Sequence, residues 1–146
     1  MNKNLSQRLL TAGLTIGLLV LLALTIYLAV TPPVGESFTE FYVLGASKNA
    51  DNYPTNITLG DNGTVILGVV NHEYQETSYR ILITLDNKTL TTLENIILQN
   101  KEVFEREYTF TPESIGDNLK LEFFLYKMDS DGIYRHLRLW LKVHPP

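Results

Sequence analysis

Cysteine is absent from the 146 residues. No disulfide framework, thiolate nucleophile or thiolate metal site is therefore open to this chain. Methionine and tryptophan are scarce, with two and one copies. Basic excess is missing too. From residue 31 onward ten Lys and Arg face sixteen Asp and Glu, a formal charge of -6. An acidic domain with scattered cations has no electrostatic footprint for nucleic acid. The length leaves room for one domain, not two.

One stretch lacks charge altogether. Leu9 to Val30 is a 22-residue run without a Lys, Arg, Asp or Glu. As a helix it spans roughly 33 Å, about the thickness of a bilayer's hydrocarbon core. Thr11, Thr15 and Thr25 can bond back to helix carbonyls, and Tyr27 lies near the far end, where an amphipathic ring favours the interface. Pro32 and Pro33 stop the helix. A cleaved signal peptide has a shorter apolar region and a small-x-small cleavage site; the segment Tyr27-Leu28-Ala29-Val30-Thr31 is a poor one.

The run therefore reads as an uncleaved signal anchor over residues 9–30. Residues 1–8 form a cytoplasmic N-terminus, 31–37 a short linker and 38–146 an extracytosolic domain. Lys3 and Arg8 on one flank, with Glu36 and Glu40 on the other, set that orientation by the positive-inside rule. Gly13 and Gly17 form a G-x-x-x-G pair, a surface on which another helix can pack closely.

From Phe38 onward the helical period gives way to alternating apolar and polar residues broken by turn signals. Phe38 to Leu44 makes a first strand. Thr64 to Val70 is apolar enough to be buried on both faces. Tyr79, Ile81, Ile83 and Leu85 share a face, as do Phe104, Tyr108 and Phe110. Leu119, Leu121, Phe123 and Leu125 share another, and Leu137, Leu139, Leu141 and Val143 a fourth. Leu90 to Leu98 gives one or two irregular strands. Asp61-Asn62-Gly63, Asp86-Asn87 and Asp129-Ser130-Asp131-Gly132 supply turns. The expected fold is all-β: an immunoglobulin-like antiparallel β-sandwich of about seven strands, preceded by one N-terminal transmembrane α-helix. It lacks the disulfide of antibody domains.

Chemistry-bearing patterns are few. His72, His136 and His144 share no metal-ligand spacing. The pair His72-Glu73 has no nucleophile at a suggestive distance in sequence, and reads as a loop whose polar side chains bond nearby backbone. Asp129-x-Asp131-Gly132 lacks the later ligands of a calcium loop. No nucleophile elbow, P-loop or dinucleotide fingerprint occurs, so no cofactor, metal or enzymatic activity is expected.

Three sequons, at Asn56, Asn62 and Asn87, are glycosylation candidates on the outer side. A fourth, at Asn4, faces the cytoplasm. The faces opposite the core on the last two strands carry Phe124 and Tyr126 on one, and Tyr134, His136, Arg138 and Trp140 on the next. An aromatic-plus-arginine patch on a sheet has the composition of a partner surface.

Several segments carry a resemblance. They are Phe38-Thr39-Glu40-Phe41-Tyr42-Val43-Leu44-Gly45, Tyr53-Pro54, Leu59-Gly60, Gly68-Val69-Val70-Asn71-His72-Glu73 and Leu139-Trp140. Together they resemble the C-terminal domain of the archaeal membrane-protein family called "domain of unknown function 1616", over about residues 36–146. The resemblance implies a membrane-tethered, outward-facing β-domain and carries no catalytic residues. The leading reading is a cell-surface interaction or structural module that binds an envelope protein or glycan, or its own copies as a homo-oligomer. The alternative is an accessory subunit of a surface filament or membrane complex. An envelope enzyme has the least support.

Overall fold

A computed structural model describes residues 3–31 and 35–146. The proline stop at Pro32-Pro33 lies outside the described residues. The chain divides into two compact units, Met1–Gly35 and Glu36–Pro146.

The first unit is one helix, α1, over Lys3–Val30. It starts six residues before the apolar run and is about 42 Å long at 1.5 Å per residue. It is long and apolar enough to cross a bilayer. Its side chains over residues 4–30 are all exposed. The threonines behave as their sequence positions suggest. Thr11, Thr15 and Thr25 each donate their hydroxyl to a carbonyl one turn earlier, at 3.0, 3.0 and 2.8 Å. That contact hides the polar atom against the helix.

The second unit is an all-β sandwich. Its strands are β1 (Phe38–Gly45), β2 (Asn56–Thr58), β3 (Gly63–His72), β4 (Thr77–Leu85), β5 (Lys88–Leu98), β6 (Val103–Phe110), β7 (Gly116–Lys127) and β8 (Arg135–His144). One sheet has the order β1-β3-β6, the other β2-β8-β7-β4-β5. The chain leaves the first sheet after β1 and enters the second through β2, which runs parallel to β8. All other pairings are antiparallel. There are thus eight strands rather than about seven, and one parallel pair. The strand the sequence did not reveal is three residues long, and Ile57 is its one buried side chain.

The expected faces form the core. Tyr79, Ile81 and Ile83 from β4 pack with Leu121, Phe123 and Leu125 from β7, all fully buried. Val65, Leu67 and Val69 of β3 meet them from the other sheet. Leu137 and Leu139 are only half-buried, because the sandwich is open between β1 and the part of β8 that β2 does not pair.

Turn chemistry is partly as expected. Asp86 (φ 48°) and Asn87 (φ 65°) form a two-residue hairpin with both central residues left-handed, the geometry that Asn and Asp tolerate best. The segment Asp61-Asn62-Gly63 is a different case. The positive φ belongs to Gly60, at 94°. Gly63 is small for packing, since a Cβ there lies 2.5 Å from the Phe110 ring. Leu90 to Leu98 belongs to one strand, bulged near Asn95 (φ 57°).

Candidate functional site

Two polar constellations and one open face stand out. The first bridges the two sheets from inside. Lys127 continues the core-facing series Leu119, Leu121, Phe123 and Leu125, so its ammonium points inward. Its Nζ lies 3.0 Å from Glu73 Oε2, with the two side chains only 13% and 5% exposed. Glu73 Oε1 accepts hydrogen bonds from Thr39 at 2.7 Å and Tyr134 at 2.9 Å. With the Thr39 proton committed to Glu73, the Tyr79 hydroxyl donates to Thr39, at 2.7 Å. Burial alone raises the Glu73 carboxyl, but the bonds from Thr39, Lys127 and Tyr134 outweigh it and hold the pKa below the usual value. Burial lowers the Lys127 ammonium, and the Glu73 carboxylate overcomes this and raises it.

Asn71, two residues before Glu73, anchors the loop. It is fully buried. Its amide donates to the carbonyls of Gln75 and Leu98, and its side-chain oxygen accepts from the Glu73 N–H. Side chain–backbone bonding in this loop is therefore the role of Asn71, whereas Glu73 bonds side chains from both sheets. His72 points outward, stacked on Phe38 and 3.0 Å from Glu40. The Lys at a core-facing position of β7 is the sequence signal for this cluster.

The open face is the outside of the five-stranded sheet. The β7–β8 register sets Lys120 beside Trp140, Glu122 beside Arg138 and Phe124 beside His136. The Phe124 and His136 rings stack at 4.5 Å, nearly parallel. The Arg138 guanidinium covers Trp140 at 5.2 Å, and Trp140 remains 50% exposed. Arg80 of β4 lies over Tyr126 at 4.6 Å. Glu122 is buried among them, 3.1 Å from His136 Nε2 and 3.9 Å from Arg138 Nε. Thr84, its neighbour on β4, has a buried hydroxyl without a hydrogen-bond partner in the described structure.

The face thus brings together Phe124, Tyr126, His136, Arg138 and Trp140. It does not include Tyr134. That ring precedes β8, packs against the core, and gives its hydroxyl to Glu73. Strand alternation applied one residue too early placed it outside. Arg80 and Glu122 also belong to the face: the sequence reading takes only the core face of β4, and only the aromatics from the outer face of β7.

Beside this face, Phe41, Val43, Tyr53, Leu137 and Leu139 line a cleft of about 300 Å³, with Arg138 at its rim. The sequons are exposed at their asparagines. Asn56 bonds His144 through its side-chain oxygen, Asn62 accepts from Thr111, and Asn87 stands at the β4–β5 tip. Space beside Gly13 and Gly17 is open. Among the described residues no group of three or more His, Asp or Glu is placed to hold a metal ion.

The sequence model described as "Domain of unknown function (DUF1616)" matches residues 32–142. No curated protein matches the chain. Among solved structures, the CARDB domain of the PF1109 protein from Pyrococcus furiosus, crystallised in complex with di-metal ions, is similar in fold. It has a TM-score of 0.58 at 10% identity, covering 75% of this chain and 96% of that one. Its solution structure gives 0.53 at 11% identity, covering 75% and 98%. A beta-glucosidase from Listeria innocua gives 0.50 at 12% identity, covering 74% of this chain and 16% of that one. The likeness is thus to a small part of the glucosidase chain. The sandwich has a CARDB-like, immunoglobulin-like fold.

Proposed function

We propose that this chain, which belongs to the family of domain of unknown function 1616, is a membrane-anchored surface module that binds another envelope component through the outer face of its five-stranded sheet. The carrying observation is the Trp140–Arg138 pair beside the Phe124–His136 stack, open to solvent on a regular sheet. Aromatic and arginine side chains dominate binding energy at protein interfaces. The module is non-enzymatic in this reading, with an envelope protein or glycan as its partner.

Helix α1 is the anchor. Lys3 and Arg8 keep the N-terminus in the cytoplasm, and the sandwich lies outside the cell. Gly13 and Gly17 are the surface through which two anchors pack. Of the sequons, Asn87 is the best acceptor, because a hairpin tip is accessible to a glycosylating enzyme.

The test is affinity purification of the full chain from detergent-solubilised native envelope. The double variant Trp140→Ala/Phe124→Ala is compared with Ile115→Ala, an exposed apolar residue off this face. The double variant should lose the co-purifying component by at least ~30-fold, the scale of a binding hot spot, while Ile115→Ala retains it. Equal recovery with both variants overturns the reading.

A further inference from the structure

The two outer faces of the sandwich carry opposite charge. On the five-stranded sheet, Arg80, Lys120, Arg138 and Lys142 share the outer face of β4, β7 and β8 with Glu122. Lys142 also lies 3.2 Å from Asp117, and β5 adds Glu94 at the margin. Four cations against three acids leave the face basic by one charge, on a domain of net charge -6. On the three-stranded sheet the pattern inverts. The registers Glu40↔Val70↔Val103, Tyr42↔Gly68↔Glu105 and Leu44↔Ile66↔Glu107 put three acids on its outer face. His72 meets Glu40 there, and no Lys or Arg stands at those nine positions.

The acidic face is built as well as charged. Gly68 lies directly under the Tyr42 ring, since a Cβ there lies 2.0 Å from Cζ. The Tyr42 hydroxyl donates to Glu105 at 2.8 Å. Burial first, then the Glu105 bond, push the Tyr42 pKa up to about 12. Glu105 is thereby fixed in position on the strand, with Val103 beside it 54% exposed.

The outer faces of a sandwich point away from each other, so one copy cannot pair its own. We propose that the partner of the basic aromatic face is a second copy of this chain, docking through its acidic three-stranded face. This rests on the binding role of the basic face and names its occupant. Such a contact is head-to-tail. It leaves a free face at each end and propagates into rows or closes into a ring. A three-stranded face of eight-residue strands measures only about 14 by 26 Å. That is at the weak end of protein interfaces. Anchoring raises the effective concentration of neighbours, which suits a weak repeated contact.

The cysteine-free chain permits a direct test. Thr92 on β5 and Thr109 on β6 are exposed at the margins of the basic and acidic faces respectively, and neither is itself one of the charged or aromatic residues named above. Full-length Thr92→Cys and Thr109→Cys chains are treated in native membranes with a flexible bis-maleimide. Each alone should give no crosslinked product, the two co-expressed should give a crosslinked dimer, and the double variant a ladder. Adding Arg138→Glu should cut the product at least tenfold, and adding Glu105→Lys as well should restore it. A dimer from either single variant, or no product from the mixture, overturns the proposal. Should the ladder be absent while Trp140→Ala/Phe124→Ala still loses an envelope component, the binding face stands and only its occupant is wrong.

Discussion

Glu73 and Glu122 are both nearly buried carboxylates paired with cations of the five-stranded sheet, and their surroundings differ. Glu73 closes a cluster inside the sandwich, in which Thr39, Tyr134 and Lys127 fill its acceptor positions and Tyr79 bonds on from Thr39. Glu122 lies on the outer face, its partners His136 and Arg138 a third and two-fifths exposed, next to a Thr84 hydroxyl that bonds nothing in the described structure. The same ionic chemistry thus serves two ends. A closed cluster across two sheets holds the fold together where a disulfide is unavailable. An open one leaves charge and aromatic side chains exposed, the surface proposed above to meet a partner.

The largest difference should appear in stability. Glu73→Ala leaves Lys127 buried without its bonded counter-charge, with only the more weakly acting Asp129 remaining, and should cost ~3–5 kcal/mol in chemical unfolding. Glu122→Ala frees His136 and Arg138 toward solvent and should cost ~1 kcal/mol or less. Equal losses would erase the distinction. Replacing both members of the inner pair, as in Glu73→Leu/Lys127→Met, should recover most of the stability lost by Glu73→Ala.

Acid sharpens the contrast. The folded carboxyl of Glu73 is held low, so its contribution is complete above the unfolded carboxylate value of about 4.3. It is lost as pH falls through the lower folded value. Lys127 has the opposite sign: its raised ammonium contributes below about 10.4, and loses that contribution as pH rises through the folded value. Glu73→Gln should flatten the acid side of the stability–pH curve measured by thermal unfolding. A curve parallel to wild type would place the acid sensitivity elsewhere.

The smallest effect concerns Thr84. Thr84→Val keeps the shape and removes a buried hydroxyl without a partner in the described structure. Unfolding should show no loss, or a gain of up to ~1 kcal/mol. A clear loss would mean that the hydroxyl is bonded in the folded chain.

The fold was legible wherever one side of a strand was consistently apolar. Tyr79 through Leu85 and Leu119 through Leu125 declare their faces by alternation alone, and the hairpin at Asp86-Asn87 by its residue types. β2 was not legible, because a single buried Ile57 carries no period. Gly63 was misread because a glycine needed for space and one needed for backbone freedom look alike in sequence. The candidate face was half legible. Alternation on β7 and β8 found Phe124, Tyr126, Arg138 and Trp140, but the order that brings Arg80 beside Tyr126 is a property of the sheet. The inner cluster joins Thr39, Glu73, Tyr79, Lys127 and Tyr134 across gaps that no local pattern spans.

In the function proposed here, the outer face of the five-stranded sheet is for contact and the inner cluster for stability. Site-specific photocrosslinking in native membranes tests it most directly. A photoreactive side chain at Trp140 is compared with one at Ile115, similarly exposed but off the face. The expected result is a discrete adduct from position 140 and none from 115. No adduct at 140, or the same adducts from both positions, would contradict the account.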